Sequence, residues 1–324
     1  MDCIGVLTSG GDAPGMNANV RSIVRTAKAY EKRVFGIRNG YQGMIENDIF
    51  EMNSSDVGGI INRGGTILGT ARSEVFKTEE GRAKAAQNLR HRGIEGIVVC
   101  GGDGSFRGAH ALAAEQGIRV IGTPGTIDND IAGTDFTIGF DTCINTAMGA
   151  IDRIRDTAES HRRIFIVEVM GRNAGFIALS VGTAGGADAI LVPEIDPHVD
   201  EVLAMLKNRY DRGKRFSLVV VAEGVEIDGY KGGGAFMYEV KKAGLEARLS
   251  IIGHQQRGGS PTVLDRQIAT VLGAAAVERL LEGGSDEMVG SVSGKVKFSN
   301  LDHAWLYHKP LDMQLYELIR NMSL

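Results

Sequence analysis

The amino-acid sequence predicts an α/β protein: two doubly wound Rossmann-like domains with mainly parallel sheets, and an active site in the cleft between them. Three observations carry that expectation. Short apolar runs alternate with helix-period stretches along most of the chain. A polar residue sits just past one such run after another, at the strand ends where a doubly wound sheet keeps its ligands. The 324 residues are long for one core, and no Ser- or Pro-rich linker separates two halves, so the domains are expected to exchange the chain more than once.

The stretch Ile97–Asp130 organises the rest. It reads as a buried strand, a glycine turn carrying Asp103, a helix, a second strand, and a loop holding Asp128 and Asp130. Both acidic loops then fall at strand C-terminal ends, so one βαβ unit sets a metal-type carboxylate beside a base-type carboxylate. That pairing suits phosphoryl transfer from a magnesium nucleotide. Asp128 and Asp130 also read as ordinary turn residues.

Composition narrows the class. The chain is 43% hydrophobic and 23% charged, as folded globular proteins are. Its 45 glycines are roughly twice average usage, which points to many tight backbone turns. A net charge of −4 argues against general nucleic-acid or membrane-surface binding, since both need a positive field. No apolar run has the length of a membrane span, and the N-terminus enters a strand-and-turn pattern directly, so a cytoplasmic protein is expected. Of three cysteines, Cys3 and Cys100 lie in strand-like runs and read as buried reduced thiols.

In chain order, Ile4–Leu7 reads as a strand, TSGGDAPGMN as a turn, and Asn17 as the cap of a helix to about Tyr30. Glycines 10, 11 and 15 admit a close ligand, although a purely structural βα turn has the same look. Arg21 and Arg25 share a helix face. A second helix near residues 150–160 holds Arg153 and Arg155, and DRGKR adds Arg212, Lys214 and Arg215. Residues 59–73 are turn-rich, with Arg63 and Arg72; Arg72 suits a phosphate clamp or a surface ion pair. Glu79–Arg92 reads as an exposed amphipathic connector. Later strands at 164–169, 189–192, 217–222 and 249–252 lead into Arg172, Glu223, His254 and Arg257. Ser260 and Pro261 then start a helix to about Leu281, and a last helix ends the chain.

Taken together, GGDG, PGTIDND, MGR and GHQQRGGSP, with TSGGDAPGMN at the start and NRGGT between, closely resemble the bacterial ATP-dependent 6-phosphofructokinase family over essentially the whole chain. The resemblance implies transfer of the ATP γ-phosphoryl group to the 1-hydroxyl of fructose 6-phosphate, with Mg2+, in a homotetramer. It implies an ATP-binding domain of residues 1–138 plus 252–305 and a fructose 6-phosphate domain of 139–251 plus 306–324. Gly11, Tyr41, Arg72, Ser73 and Gly102, Asp103, Gly104 and Ser105 would hold ATP, with Asp103 on the metal. Asp128 would be the base, with Thr126, Ile127 and Asp130 beside it and Arg72 and Arg172 neutralising charge. Met170, Gly171, Arg172, Glu223, His254, Gln255, Gln256 and Arg257 would hold the sugar phosphate. Arg163 and Arg248 would reach it from a neighbouring subunit.

In the related pyrophosphate-dependent enzymes an Asp usually follows GGD and a Lys precedes TIDND. Here those positions are Gly104 and Gly125, which favours ATP. Arg21, Arg25, Arg155, Gly186, Asp188, Arg212 and Lys214 resemble a pocket for ADP or phosphoenolpyruvate as effector. Ser54 and Ser55 depart from the Arg and aromatic often found there, which should weaken the grip on phosphate and on an adenine ring. Competing readings keep the fold with pyrophosphate as donor or another sugar phosphate such as tagatose 6-phosphate as acceptor, or make the chain a nucleotide sensor with a dead site. Intact Asp103, Asp128 and Arg172 argue against the sensor. NAD kinases and lipid kinases share GGDG but not the other segments.

Overall fold

Runs such as CIGVLT and GIVVCG are buried at every position, the signature of central parallel strands covered on both faces. The computed structural model describes residues 1–158, 163–214 and 216–322; Arg215 and, of the helix expected near 150–160, Glu159 and Ser160 lie outside them. In chain order β1 is Cys3–Thr8, α1 Met16–Ala29, β2 Arg33–Ile37, α2 Gly40–Glu46, β3 Ile49–Met52, α3 Glu79–His91, β4 Gly96–Gly101, α4 Asp103–Gln116 and β5 Arg119–Pro124. There follow α5 Phe140–Ala158, β6 Arg163–Val169, α6 Phe176–Ala184, β7 Ala189–Leu191, α7 Val199–Asp211, β8 Phe216–Ala222, β9 Glu226–Ile227, β10 Tyr230–Lys231, α8 Gly232–Lys242 and β11 Ala247–Ile251. The chain ends with α9 Val263–Leu281, β12 Glu287–Val292, β13 Lys295–Asn300, α10 His303–Leu306 and α11 Met313–Met322.

The chain gathers into two units. The first comprises Met1–Ile127, Ile131–Thr142 and Arg257–Lys309. Its seven-stranded sheet has the order β13-β12-β5-β4-β1-β2-β3. The five inner strands are parallel, and the antiparallel β3 and β13 close the two edges. The order reverses between β1 and β4, and the loops after those two strands border the crevice in which such sheets bind ligands. One face is covered by α2, α3 and α4 over a core including Phe35, Met44, Leu89, Ile97 and Phe106. On the other, α1 and α9 pack against each other, and a Cβ on Gly273 would lie 3.0 Å from the Asn19 carbonyl oxygen.

The second unit comprises Asp128–Asp130, Cys143–Gln256 and Pro310–Leu324. Its sheet is parallel throughout, in the order β11-β6-β8-β7, and α6 and α8 pack on it. Among the described residues no helix is long and apolar enough to cross a membrane.

Several elements differ from the sequence expectation, each for a physical reason. Asn17 does not cap α1: the cap position is Gly15, in the left-handed region at φ 118°, and Asn17 lies inside the first turn. Its amide instead donates to the carbonyls of Arg63 and Gly64 and accepts the Ile67 N–H, which ties a distant loop to the helix. The α9 cap is Thr262, whose hydroxyl accepts the Asp265 N–H; Pro261 precedes the cap. Asp103 is the first residue of α4 and not part of the turn before it. The α3 helix is more than an exposed connector, because Ala85, Ala86 and Leu89 enter the core. The helix expected from about residue 150 begins ten residues earlier, at Phe140.

Candidate active site

In the first unit the β1 and β4 loops meet at the switch point. Ser9 N–H donates to the Cys100 carbonyl at 2.9 Å, and the Ser105 hydroxyl donates to Ser9 Oγ at 2.9 Å. Gly101 must be glycine there, since a Cβ would lie 2.7 Å from the Ser9 carbonyl oxygen. The result is a floor of bare backbone, Gly10–Gly11 beside Gly102, at the N-terminus of α4, where the helix dipole favours an anion. Nothing lies within 4 Å of a Cβ built on Gly104, so the space beside the first turn of α4 is open.

Gly11 is exposed, Gly102 and Asp103 are half-buried and Ser105 is buried. Tyr41 is 7% exposed, stacks on Phe76 with ring centroids 4.0 Å apart, and donates its hydroxyl to the Ser105 carbonyl at 2.5 Å. Burial holds that phenol well above its usual range. Tyr41 thus braces the first turn of α4 from behind. Arg72 is exposed, and the Ser73 hydroxyl accepts the Phe76 N–H. The loop leading to Arg72 is held at the strand ends: the Thr8 hydroxyl donates to the Gly69 carbonyl at 2.9 Å, and Asn39 N–H donates to the Leu68 carbonyl at 2.8 Å.

The β5 loop lies beside the β4 loop. Gly125 N–H donates to the Gly101 carbonyl at 3.0 Å, and Thr126 Cβ is 3.8 Å from a Cβ built on Gly102. A side chain at Gly125 would meet Cys100 Sγ at 2.6 Å and Met16 Cε at 3.2 Å. The Cys100 thiol is itself pushed up to about 12 by burial, which makes it a small apolar filler. Thr126 and Ile127 are buried, and the chain runs on into Asp128, 4% exposed, Asn129 at φ 54°, and the half-buried Asp130. Arg257 also belongs to this unit: it donates to the Asp12 carbonyl at 3.2 Å and lies over Gly11.

In the second unit the C-terminal ends of β6, β8 and β11 carry the other expected residues. After β6, Gly171 at φ 134° and Arg172 at φ 52° turn the chain sharply, closed by the Ala174 N–H on the Gly171 carbonyl at 2.9 Å. A left-handed arginine costs about 1–3 kcal/mol and persists only where its surroundings hold it. Glu223 does so, accepting the Arg172 N–H at 2.8 Å, while its own N–H donates to the Val169 carbonyl at 2.9 Å. Gly224 was not expected from the sequence; a Cβ there would collide with the Arg172 carbonyl oxygen. His254 and Gln255 are exposed in a short 3-10 turn, whereas Gln256 is fully buried. Its carboxamide accepts from the Met170 N–H at 3.3 Å and donates to the Gly253 carbonyl at 3.1 Å, so it shapes the Met170 backbone.

Arg163 opens β6 and Arg248 lies near the start of β11, on the sheet edge; Arg248 pairs with Phe165, so the two arginines share a face. Of the expected effector residues, Arg155 donates to the carbonyls of Gly185 and Gly186. Asp188 accepts the Leu218 N–H at 2.9 Å and pairs with Arg209 at 2.5 Å, a partner that sequence reading missed. Arg212 and Lys214 are exposed just after α7; Arg21 and Arg25 lie on α1, the first half-buried and the second exposed.

Comparison with known proteins bears on this arrangement. An ATP-dependent 6-phosphofructokinase 1 from Thermus thermophilus is 55% identical, over 100% of both chains. An ATP-dependent 6-phosphofructokinase from Halothermothrix orenii is 52% identical, again over 100% of both. Among solved structures, a phosphofructokinase from Saccharomyces cerevisiae superposes with a TM-score of 0.90 at 35% identity; it covers 100% of this chain, which spans 50% of the yeast chain. Residues 3–280 match the family described as Phosphofructokinase. The glycine-floored switch point and the full-length likeness agree, and the chain belongs to the phosphofructokinase family.

Proposed function

We infer that this chain transfers the γ-phosphoryl group of ATP to the 1-hydroxyl of fructose 6-phosphate, releasing ADP and fructose 1,6-bisphosphate, as a glycolytic kinase. The observation that carries the reading is the meeting of Gly10–Gly11 with Gly102 at the switch point, at the start of α4 and beside Thr126. Bare backbone and a helix N-terminus receive the phosphates, and Arg72 adds an exposed cation. The half-buried Asp103 carboxylate fits Mg2+, which takes one or two carboxylates together with substrate phosphates. When bound, the ion neutralises charge on the β- and γ-phosphates.

Asp128 accepts the proton of the attacking hydroxyl, with Thr126 and Asp130 orienting the acceptor. Arg172, presented by the Gly171 turn and Glu223, neutralises charge on the transferring group, and Met170, His254, Gln255 and Arg257 complete the sugar-phosphate contacts. Gly125 supports ATP as donor, since a lysine at that position would displace Cys100.

Arg163 opens β6, a strand about 20 Å long, and Arg172 lies past its far end. By their likeness to the family, Arg163 and Arg248 are assigned to the sugar phosphate of a neighbouring copy in a homotetramer; their place at the start of β6 and on the edge strand β11 agrees with that assignment. By likeness to the family, Arg21 and Arg25 of the first unit and Arg155, Gly186, Asp188, Arg212 and Lys214 of the second are assigned as contacts for an effector, ADP or phosphoenolpyruvate. Three buried cysteines, none in a disulfide, support a reducing cytoplasm.

Steady-state assay with fructose 6-phosphate, comparing ATP and pyrophosphate at equal magnesium, tests the reading. Turnover with ATP is expected. Turnover with pyrophosphate alone would overturn the donor assignment, and turnover with neither would overturn the activity.

A further inference from the structure

Thr137–Ile138–Gly139 matches none of the motifs described above, yet it is wholly buried and lies alongside the Thr126 loop. Ile138 N–H donates to the Pro124 carbonyl at 2.8 Å, and Thr126 N–H donates to the Ile138 carbonyl at 3.1 Å. The Thr137 hydroxyl donates to the Thr126 carbonyl at 2.7 Å. That carbonyl belongs to the peptide leading to Ile127, the residue before Asp128. The hydroxyl therefore sets the plane of the last peptide but one before Asp128.

The other end of the segment is anchored by Asp265, which is 0% exposed. One of its oxygens accepts the Gly139 N–H at 2.7 Å; the other accepts the Thr142 N–H at 2.7 Å and the Thr142 hydroxyl at 2.5 Å. Thr142 Oγ1 accepts in turn the Thr262 N–H at 3.0 Å, which locks the starts of α5 and α9 together. Gly139 sits at φ 106°, and a Cβ on it would strike Ala13 at 2.6 Å, so the segment cannot slide toward the β1 loop. A buried carboxylate with three donors is a rigid post, and a hydroxyl projecting from that post sets a peptide plane.

We propose that Thr137 is a positioning residue for phosphoryl transfer, anchored by Asp265, and that its hydroxyl fixes the Thr126–Ile127 peptide and hence the placement of Asp128. The proposal rests on the reading of Asp128 as the base. Ground-state binding of nucleotide on the Gly10 and Gly102 loops does not use this bond, whereas a reacting geometry displaced by an ångström costs about a hundredfold in rate.

The test is steady-state kinetics of wild type, Thr137→Val and Thr137→Ser, with melting temperatures measured alongside. Valine keeps the volume and removes the donor; serine keeps the donor. Thr137→Val is expected to lower kcat by about tenfold to a hundredfold with KM for ATP unchanged, and Thr137→Ser to restore most of it. Asp265→Asn should lower kcat in the same sense. Equal kcat in wild type and Thr137→Val, or equal losses in the valine and serine variants, would overturn the positioning role. A wild-type protein without ATP-dependent turnover fails at the underlying reading instead, and removes Thr137's role with it.

Discussion

Glu223 accepts the backbone N–H of Arg172 at 2.8 Å, so a carboxylate at the end of one strand holds a left-handed arginine at the end of the next. Removing the acceptor frees Arg172 to leave its strained conformation. A hydrogen bond to a charged group contributes about 1.5–3 kcal/mol. Glu223→Ala is therefore expected to raise KM for fructose 6-phosphate by about tenfold to a hundredfold while leaving KM for ATP near wild type. Glu223→Gln retains an acceptor oxygen and should fall between. Matched substrate titrations of the three proteins measure this.

Gly125 and Gly104 stand in opposite surroundings. Gly125→Ala sets a methyl 2.6 Å from Cys100 Sγ and should destabilise the protein by about 1–3 kcal/mol, with recovery in the Cys100→Ala background. Gly104→Ala meets nothing within 4 Å and lies in the first turn of a helix, so stability should hold or rise by up to about 1 kcal/mol. If the space in front of Gly104 is the nucleotide seat, that same variant raises KM for ATP. Urea midpoints and ATP titrations separate the two effects.

Asp128→Ser removes the base while leaving the Gly10 and Gly102 loops intact. Turnover is expected to fall by about 10²- to 10⁴-fold with ATP affinity unchanged, measured by equilibrium titration with a fluorescent ATP analogue. Near-normal turnover would take the base role away from Asp128.

Asp265 gives a pH signature. Burial raises its pKa above the ordinary aspartate value, against the opposing effect of the Thr142 and Gly139 donors. The folded protein then holds this proton more tightly than the unfolded chain. The associated stability is complete below the unfolded pKa and is lost as pH rises through the folded one. In Asp265→Asn that component is absent, so the stability gap between wild type and variant should narrow as pH rises from about 3.9 toward neutrality. Denaturant titrations across that range check the sign.

What the sequence made legible was local. The run Ile97–Asp130 reads correctly as strand, helix, strand and acidic loop because apolar blocks and glycine punctuation report neighbours a few residues away. Asn17 fooled the same logic: an Asn before an apolar helix reads as a cap, but its amide serves carbonyls 46 and 47 residues on, which no window registers. Thr137, Asp265 and Arg209 were illegible for the same reason, since their partners lie 11, 126 and 21 positions away. Gly224 is one glycine among 45 until the carbonyl it must clear is located.

The sheet of the first unit is completed late. Its strand β5 pairs on one side with β4 and on the other with β12, whose residues follow more than 160 positions after Pro124. During synthesis the early strands therefore emerge with one flank unmatched, and that flank stays open until residues past Glu287 have left the ribosome. A message truncated anywhere before β12 yields a nascent product with a sticky margin, and chaperones or proteases would meet it before any substrate does.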